Sequence, residues 1–155
     1  MDDAFGHWFA GFFDGEGCLY VNRIQRPERD YFYCCAAIQL RADELPILME
    51  IREQTGIGTV TRTVDRKNGS CPQRSWTVTS TAGCLALRGI FACHPLRAKK
   101  RHDLELWSAS LDAQIRRDWD SAKRLKLAIQ EGRRFSDEGS QQDLDLAWDD
   151  QLALL

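Results

Sequence analysis

Trp8 to Gly17 reads WFAGFFDGEG. The residues before Asp14, from Ala4 to Phe13, are apolar or aromatic at most positions, with Gly6, Ala10 and Gly11 as the small members. This pattern predicts a short buried helix stopped by Asp14-Gly15-Glu16-Gly17. Two acids at such an end are unusual. The last-turn carbonyls already carry partial negative charge, so Asp14 and Glu16 beside them are unfavourable unless a cation offsets them. Carboxylate and carbonyl oxygens suit Mg2+ or Mn2+. Two such ends brought together would hold metals able to activate water and stabilise the leaving oxygen of a phosphodiester. An isolated Asp-Gly-Glu-Gly is more often an ordinary turn, so the surrounding chain decides.

Downstream, Cys18 to Arg26 alternates Leu19 and Val21 with Tyr20 and Asn22, and Tyr31 to Leu40 is rich in strand formers. With a turn at Pro27-Glu28-Arg29-Asp30, this predicts a hairpin. From Asp43 to Thr55, Leu45, Ile47, Leu48 and Ile51 recur at helical spacing, Pro46 is tolerated in a first turn, and Gly56 is a C-terminal stop. Gly58 to Asp65 and Arg74 to Ser80 alternate around Lys67-Asn68-Gly69-Ser70, a second hairpin. Thr81 to Ala92 is helical with Thr81 as N-cap, and Leu104 to Leu127 continues helical in pieces. Helix, hairpin, helix, hairpin, helix implies an α+β fold: an antiparallel sheet with helices on one face.

In that context Phe9-Ala10-Gly11-Phe12-Phe13-Asp14-Gly15-Glu16-Gly17 resembles the LAGLIDADG signature of homing endonucleases. Gln54-Thr55-Gly56-Ile57-Gly58, Pro95 to Arg101 and Asp103 to Trp107 also resemble the family, over about residues 5 to 110. The resemblance implies an αββαββα fold with a four-stranded antiparallel sheet, here followed by extra C-terminal helices. It also implies that signature helices from two motifs pack together, so that their second acids, Glu16 here, lie near the scissile phosphates. By the same carry-over Gly15 supplies a metal-binding carbonyl, Asp14 caps or supports the helix end, and Ala10, Gly11, Phe13 and Asp14 form the helix contact. Lys100 aligns with an active-site lysine that polarises water or stabilises phosphate charge. A polar residue near the end of the second strand is left between Gln39 and Arg41, with Gln39 preferred. One motif occurs in the chain, so the resemblance implies a homodimer on a near-palindromic double-stranded DNA site, using Mg2+ or Mn2+ and no small-molecule cofactor.

If Leu19 and Val21 face the core, Tyr20, Asn22, Ile24 and Arg26 face the groove. Asn22 and Arg26 have the chemistry to pair with adenine or guanine edges. In the second hairpin Thr59, Thr61, Thr63, Ser75 and Thr77 face outward, with Val60, Val64, Trp76 and Val78 inward. Arg62 and Arg74 join the DNA-binding set only if twist or a bulge turns them out. The alternative for all of these is a solvated sheet face. Arg116-Arg117, Lys123-Arg124-Lys126 and Arg133-Arg134 are phosphate-contact candidates. Trp8 and Trp107 are read as packing residues.

The 155 residues suffice for one domain, assigned to 1–135, with an acidic tail at 136–155 that forms a short helix or is mobile. Net charge is −2, yet six of the 23 acids fall in that tail, leaving 17 acids against all 21 Lys and Arg in the body. A mildly basic body is compatible with DNA. Six cysteines without a Cys-x-x-Cys pair fit a reduced interior, and Cys84, Cys93 and His94 lack the second ligand pair of a zinc site. Neither a secretory signal nor a membrane span is visible, which predicts an intracellular protein. The function expected is metal-dependent DNA cleavage. The competing readings are a non-cleaving DNA- or RNA-binding protein of the same fold, resembling a maturase or regulator, and a structural domain in which the motif is only a dimer helix.

Overall fold

The computed structural model describes residues 1–62 and 72–132. Its elements are α1 (Asp3–Glu16), β1 (Gly17–Gln25), β2 (Asp30–Arg41), a 3-10 turn at Ala42–Glu44, α2 (Leu45–Thr55), β3 (Thr59–Arg62), β4 (Gln73–Val78), α3 (Thr81–Cys93), α4 (Lys100–Ile115) and α5 (Trp119–Gly132). The αββαββα order is as expected, with α4 and α5 as the extra C-terminal helices. Thr63, Val64, Arg133, Arg134 and the tail at 136–155 lie outside the described residues. No helix among the described residues is long and apolar enough to cross a membrane.

The four strands form one antiparallel sheet in the order β1-β2-β4-β3. Pairing runs unbroken from Gly17–Ile38 to Gln25–Asp30 and from Ala36–Val78 to Arg41–Gln73. An unbroken register keeps alternate residues on one face. Leu19, Val21, Phe32, Cys34, Ala36, Ile38, Leu40, Trp76 and Val78 are buried under the helices. Phe9 and Phe13 of α1 enter this layer against Phe91 of α3, with ring centroids 5.6 and 4.9 Å away, and Phe9 meets Trp76 edge-on at 5.9 Å. Each fully buried phenylalanine contributes roughly 1.5–3 kcal/mol of burial. Among the described residues the two buried indoles are satisfied: Trp76 Nε1 donates to the Ile57 carbonyl and Trp107 Nε1 to that of Cys35, both at 3.0 Å.

Element ends depart from the sequence reading at several points: α4 starts at Lys100 rather than Leu104, α5 runs on to Gly132, and two further ends differ. Helix α1 continues through the expected stop to Glu16, and Gly17 is extended at φ −74°. The N-cap of α3 is Ser80, whose Oγ accepts the Gly83 N–H at 3.1 Å. Thr81 is already inside the helix, where its hydroxyl accepts from Gln114 Nε2 at 2.9 Å. Capping requires an oxygen one residue before the first helical turn, and Ser80 supplies it. Gly56 does close α2 in the left-handed region at φ 68°.

Of the described cysteines, Cys34, Cys35, Cys84 and Cys93 are free thiols. Burial, followed by the charge of Cys35, pushes the Cys84 thiol from 9.0 up to about 12. Burial raises Cys34 as well. Both therefore stay protonated and unreactive in the folded chain. At about pH 8, iodoacetamide is expected to alkylate exposed Cys93 and to reach Cys34 and Cys84 only after unfolding. Equal native rates at the three sites, read by peptide mass mapping, would contradict the packing.

Helix α4 ends in a Schellman turn: Asp118 N–H bonds the Ala113 carbonyl at 2.9 Å and Arg117 N–H that of Gln114 at 3.0 Å. Arg117 sits at φ 59°, where a side chain is strained. Arg117→Gly is expected to stabilise the fold by about 0.5–1 kcal/mol. A lowered urea midpoint would refute the strain.

Candidate functional site

The C-terminal turn of α1 is tied to the segment joining α3 and α4 from both sides. The Asp14 carboxylate accepts through Oδ2 from the backbone N–H groups of Arg97 and Ala98, at 2.7 and 3.1 Å. In return Lys100 Nζ donates to the carbonyls of Phe13 and Asp14, at 3.1 and 2.8 Å. These are orphan carbonyls of the last helical turn, and a cation is the complement their partial charge calls for. Sequence reasoning assigned Asp14 to the helix end. The observed role is different: its carboxylate anchors the connector that delivers Lys100. The close entry into β1 depends on Gly17, where a Cβ would lie 2.5 Å from the Phe13 ring.

Glu16 is thereby placed at the last position of α1, exposed, with Gly15 exposed beside it. Asp14 Oδ1 is buried and has no hydrogen-bond partner among the described residues. Of the two second-strand candidates, Gln39 follows directly on Ile38, the partner of Gly17 where β1 begins, and itself pairs with Ser75 of β4. Its Nε2 donates to Gln73 Oε1 at 2.6 Å. Arg41 is held by Asp43 through Nε and Nη2, at 3.2 and 2.5 Å.

The four residues assigned to the helix contact separate. Phe13 is 0% exposed and belongs to the core, while Ala10, 4% exposed, lines the groove beside Gly11. The cause is helical phase: positions 9, 10 and 13 are on the inner face with Gly6. Gly11 and Gly15 do lie on the outer face, with nothing among the described residues within 4 Å of where a Cβ would stand. Trp8, read as packing, is 42% exposed on that same side and stacks on Phe12 at 5.1 Å. Its place one turn before Gly11 was the available signal. A groove of about 430 Å³ bounded by His7, Gly11, Pro95 and Arg97 runs beside the outer stripe.

The sheet face away from the helices carries Tyr20, Asn22 and Ile24 of β1, Thr59 and Thr61 of β3 and Thr77 of β4. Asn22 and Ile24 are exposed, and Tyr20 is half-buried. Burial, followed by the charge of Cys35, raises the Tyr20 hydroxyl above its ordinary value. Thr59 and Thr77 share a hydroxyl contact at 3.3 Å. Arg26 is exposed in the turn after β1. Arg74 is a correction. With no bulge in the β2–β4 register it stays on the helix side with Trp76 and Val78, and its Nε is buried without a partner among the described residues. Arg62 pairs with it across β3 and β4. Lys126 is likewise a structural residue, its Nζ donating to the Val21 carbonyl at 2.6 Å. Missed by sequence reasoning was an aromatic corner at the open end of β2, where Trp119 meets Tyr31 and Tyr33 at 5.2 and 6.0 Å beside Arg29 and Arg117. Both tyrosines share the odd-numbered face of β2, a signal the alternation contains.

The sequence profile described as LAGLIDADG endonuclease matches residues 9–111. No curated protein matches. Among solved structures, an archaeal intron-encoded homing endonuclease, I-Vdi141I, complexed with DNA, superposes with a TM-score of 0.74 at 13% identity, covering 88% of each chain. I-CvuI, in complex with DNA in the presence of Mg, gives 0.69 at 17% identity over 86% of this chain and 85% of that one. I-SmaMI bound to cleaved DNA gives 0.73 at 16% identity over 83% of this chain and 45% of the longer one.

Asp14→Ala is expected to destabilise the chain by about 1–3 kcal/mol, because it orphans two amides and frees the connector. A urea midpoint unchanged from wild type would show that the anchor is dispensable.

Proposed function

The chain belongs to the LAGLIDADG endonuclease family, and on that premise we propose that two copies form a site-specific endonuclease that hydrolyses double-stranded DNA at a near-palindromic site with a divalent metal. The observation that carries this reading is the end of α1, where an exposed Glu16 carboxylate, the Gly15 backbone and the Lys100-capped carbonyls gather. The fit to a hard cation rests on the donor chemistry: oxygen ligands only, from the Glu16 carboxylate and the Gly15 carbonyl, with Asp14 Oδ1 unpartnered among the described residues. Mg2+ or Mn2+ would be held by Glu16 and the Gly15 carbonyl, and when bound it supplies Lewis-acid stabilisation of phosphate charge and a more acidic water.

The chain's own residues prepare that chemistry. Lys100, fixed by two carbonyls, keeps a positive charge beside the position of the reacting phosphate. Gln39, on the neighbouring strand, orients solvent near Glu16. One chain presents one such carboxylate, so cutting both strands takes two chains related by a twofold axis. The outer stripe of α1 favours that assembly, since Gly11 and Gly15 leave room for a second helix and Trp8 supplies exposed apolar area. Asn22, Ile24, Thr61 and Thr77 line the open sheet face as candidate readers of base edges, Tyr20 and Arg26 flank them, and Arg29 and Arg117 approach phosphates.

The test is incubation of the full chain with a randomised duplex library, in Mg2+ or in EDTA, beside Glu16→Gln. Metal-dependent cuts are expected, falling by more than about 100-fold in the variant while duplex binding is retained. Binding without cuts at any metal concentration would instead identify the non-cleaving member of the same fold. Failure to bind duplex at low salt, where phosphate contacts are strongest, would remove nucleic acid altogether.

A further inference from the structure

At the opposite end of α1 from Glu16, three metal-ligating side chains converge. Asp3 and His7 lie one turn apart on the helix, and His94 is the C-cap residue of α3. One ligand atom from each lies within 4.8 Å of the others. His94 Nε2 is 3.0 Å from Asp3 Oδ1, and His7 Nε2 is 3.7 Å from Asp3 Oδ2. The two imidazoles meet edge to face at 5.0 Å.

His94 makes this more than a surface coincidence. It is 8% exposed, and its ring fits over Gly6, where a Cβ would stand 2.4 Å from Nε2. Its Nδ1 is 3.3 Å from the Ile90 carbonyl while its Nε2 faces the Asp3 carboxylate. Both ring nitrogens therefore face acceptors, but a neutral imidazole has one N–H. In the tautomer that gives Nδ1–H to Ile90, the Nε2 lone pair is free to share a cation with the Asp3 carboxylate. Such a carbonyl-held imidazole is the usual support of a metal-bound histidine. His94 also stands at the negative end of α3, which offsets the positive end of α1.

We propose that Asp3, His7 and His94 bind a Zn2+-class divalent ion, with His94 as the fixed ligand and a fourth position open to water. Ligand atoms around tetrahedral zinc are about 3.3 Å apart, given bonds of about 2.0–2.2 Å. Asp3 and His7, exposed on their side chains, close the remaining gap by rotation. Imidazole nitrogen with one carboxylate selects zinc over magnesium. About 14 Å of helix separates His7 from Glu16, so this ion is not the one proposed for cleavage. The bound ion pins the start of α1 to the end of α3, at the flank of the outer helix stripe.

Titration of the full chain with Co2+ as probe, followed by displacement with Zn2+, tests the site. One Co2+ per chain with the visible bands of four-coordinate cobalt is expected. His7→Ala and Asp3→Asn, both exposed and harmless to folding, should each weaken binding by more than about tenfold. His102→Ala, at the remaining histidine, and Cys93→Ser, next to His94, should leave it unchanged. No four-coordinate spectrum, affinity unmoved by His7→Ala and Asp3→Asn, or loss of binding in Cys93→Ser would each overturn the assignment.

Discussion

The exchange between Lys100 and Asp14 is the constraint on which the rest of the molecule turns. One side chain gives its charge to the last carbonyls of α1, and the other gives its carboxylate to the amides of Arg97 and Ala98. A helix ending in two acids is electrostatically poor by itself. Here the deficit is used to fix a lysine from far along the chain at the helix end that carries Glu16. Because Gly17 then enters β1 with no room for a side chain, the register of the whole sheet starts from this point. Position of the carboxylate and position of the strands are thus one geometric fact.

Helix α1 has two faces with different tasks. Phe9, Ala10 and Phe13 fill the core against α3 and β4, which sets the height of the helix above the sheet. Gly11, Gly15 and Trp8 remain outside. The sheet is divided in the same way. One face is apolar and covered, and the other carries Asn22, the threonines of β3 and β4, and an aromatic and basic corner at Trp119.

Much of this was legible in the amino-acid order because the period-2 and period-3.6 patterns are strong in β1, β4 and α2 and the signature sits where a helix must end. Glu16 and Lys100 were named as candidates by the resemblance, and Gly11 by its place among the small residues of the motif. Other features depend on phase and distance that local patterns do not carry. Phe13 belongs to the core because α1 continues straight to Glu16, turning that side chain inward. Arg74 stays beneath the sheet because no bulge interrupts its register. Asp14 finds its partners 83 and 84 residues away. Neither the inward fit of Gly6 under His94 nor the meeting of His94 with Asp3 has any local signature.

The central claim is that two α1 helices cross at Gly11 and bring their Glu16 carboxylates to one DNA site. The most direct measurement is disulfide trapping in Gly11→Cys, read on a non-reducing gel with and without duplex DNA. Crossing at Gly11 places the paired Cα atoms within about 7 Å, so rapid formation of a covalent two-chain species is predicted. A variant that binds duplex yet remains single-chain under oxidation, at the level of the wild type with its own exposed Cys93, would contradict it.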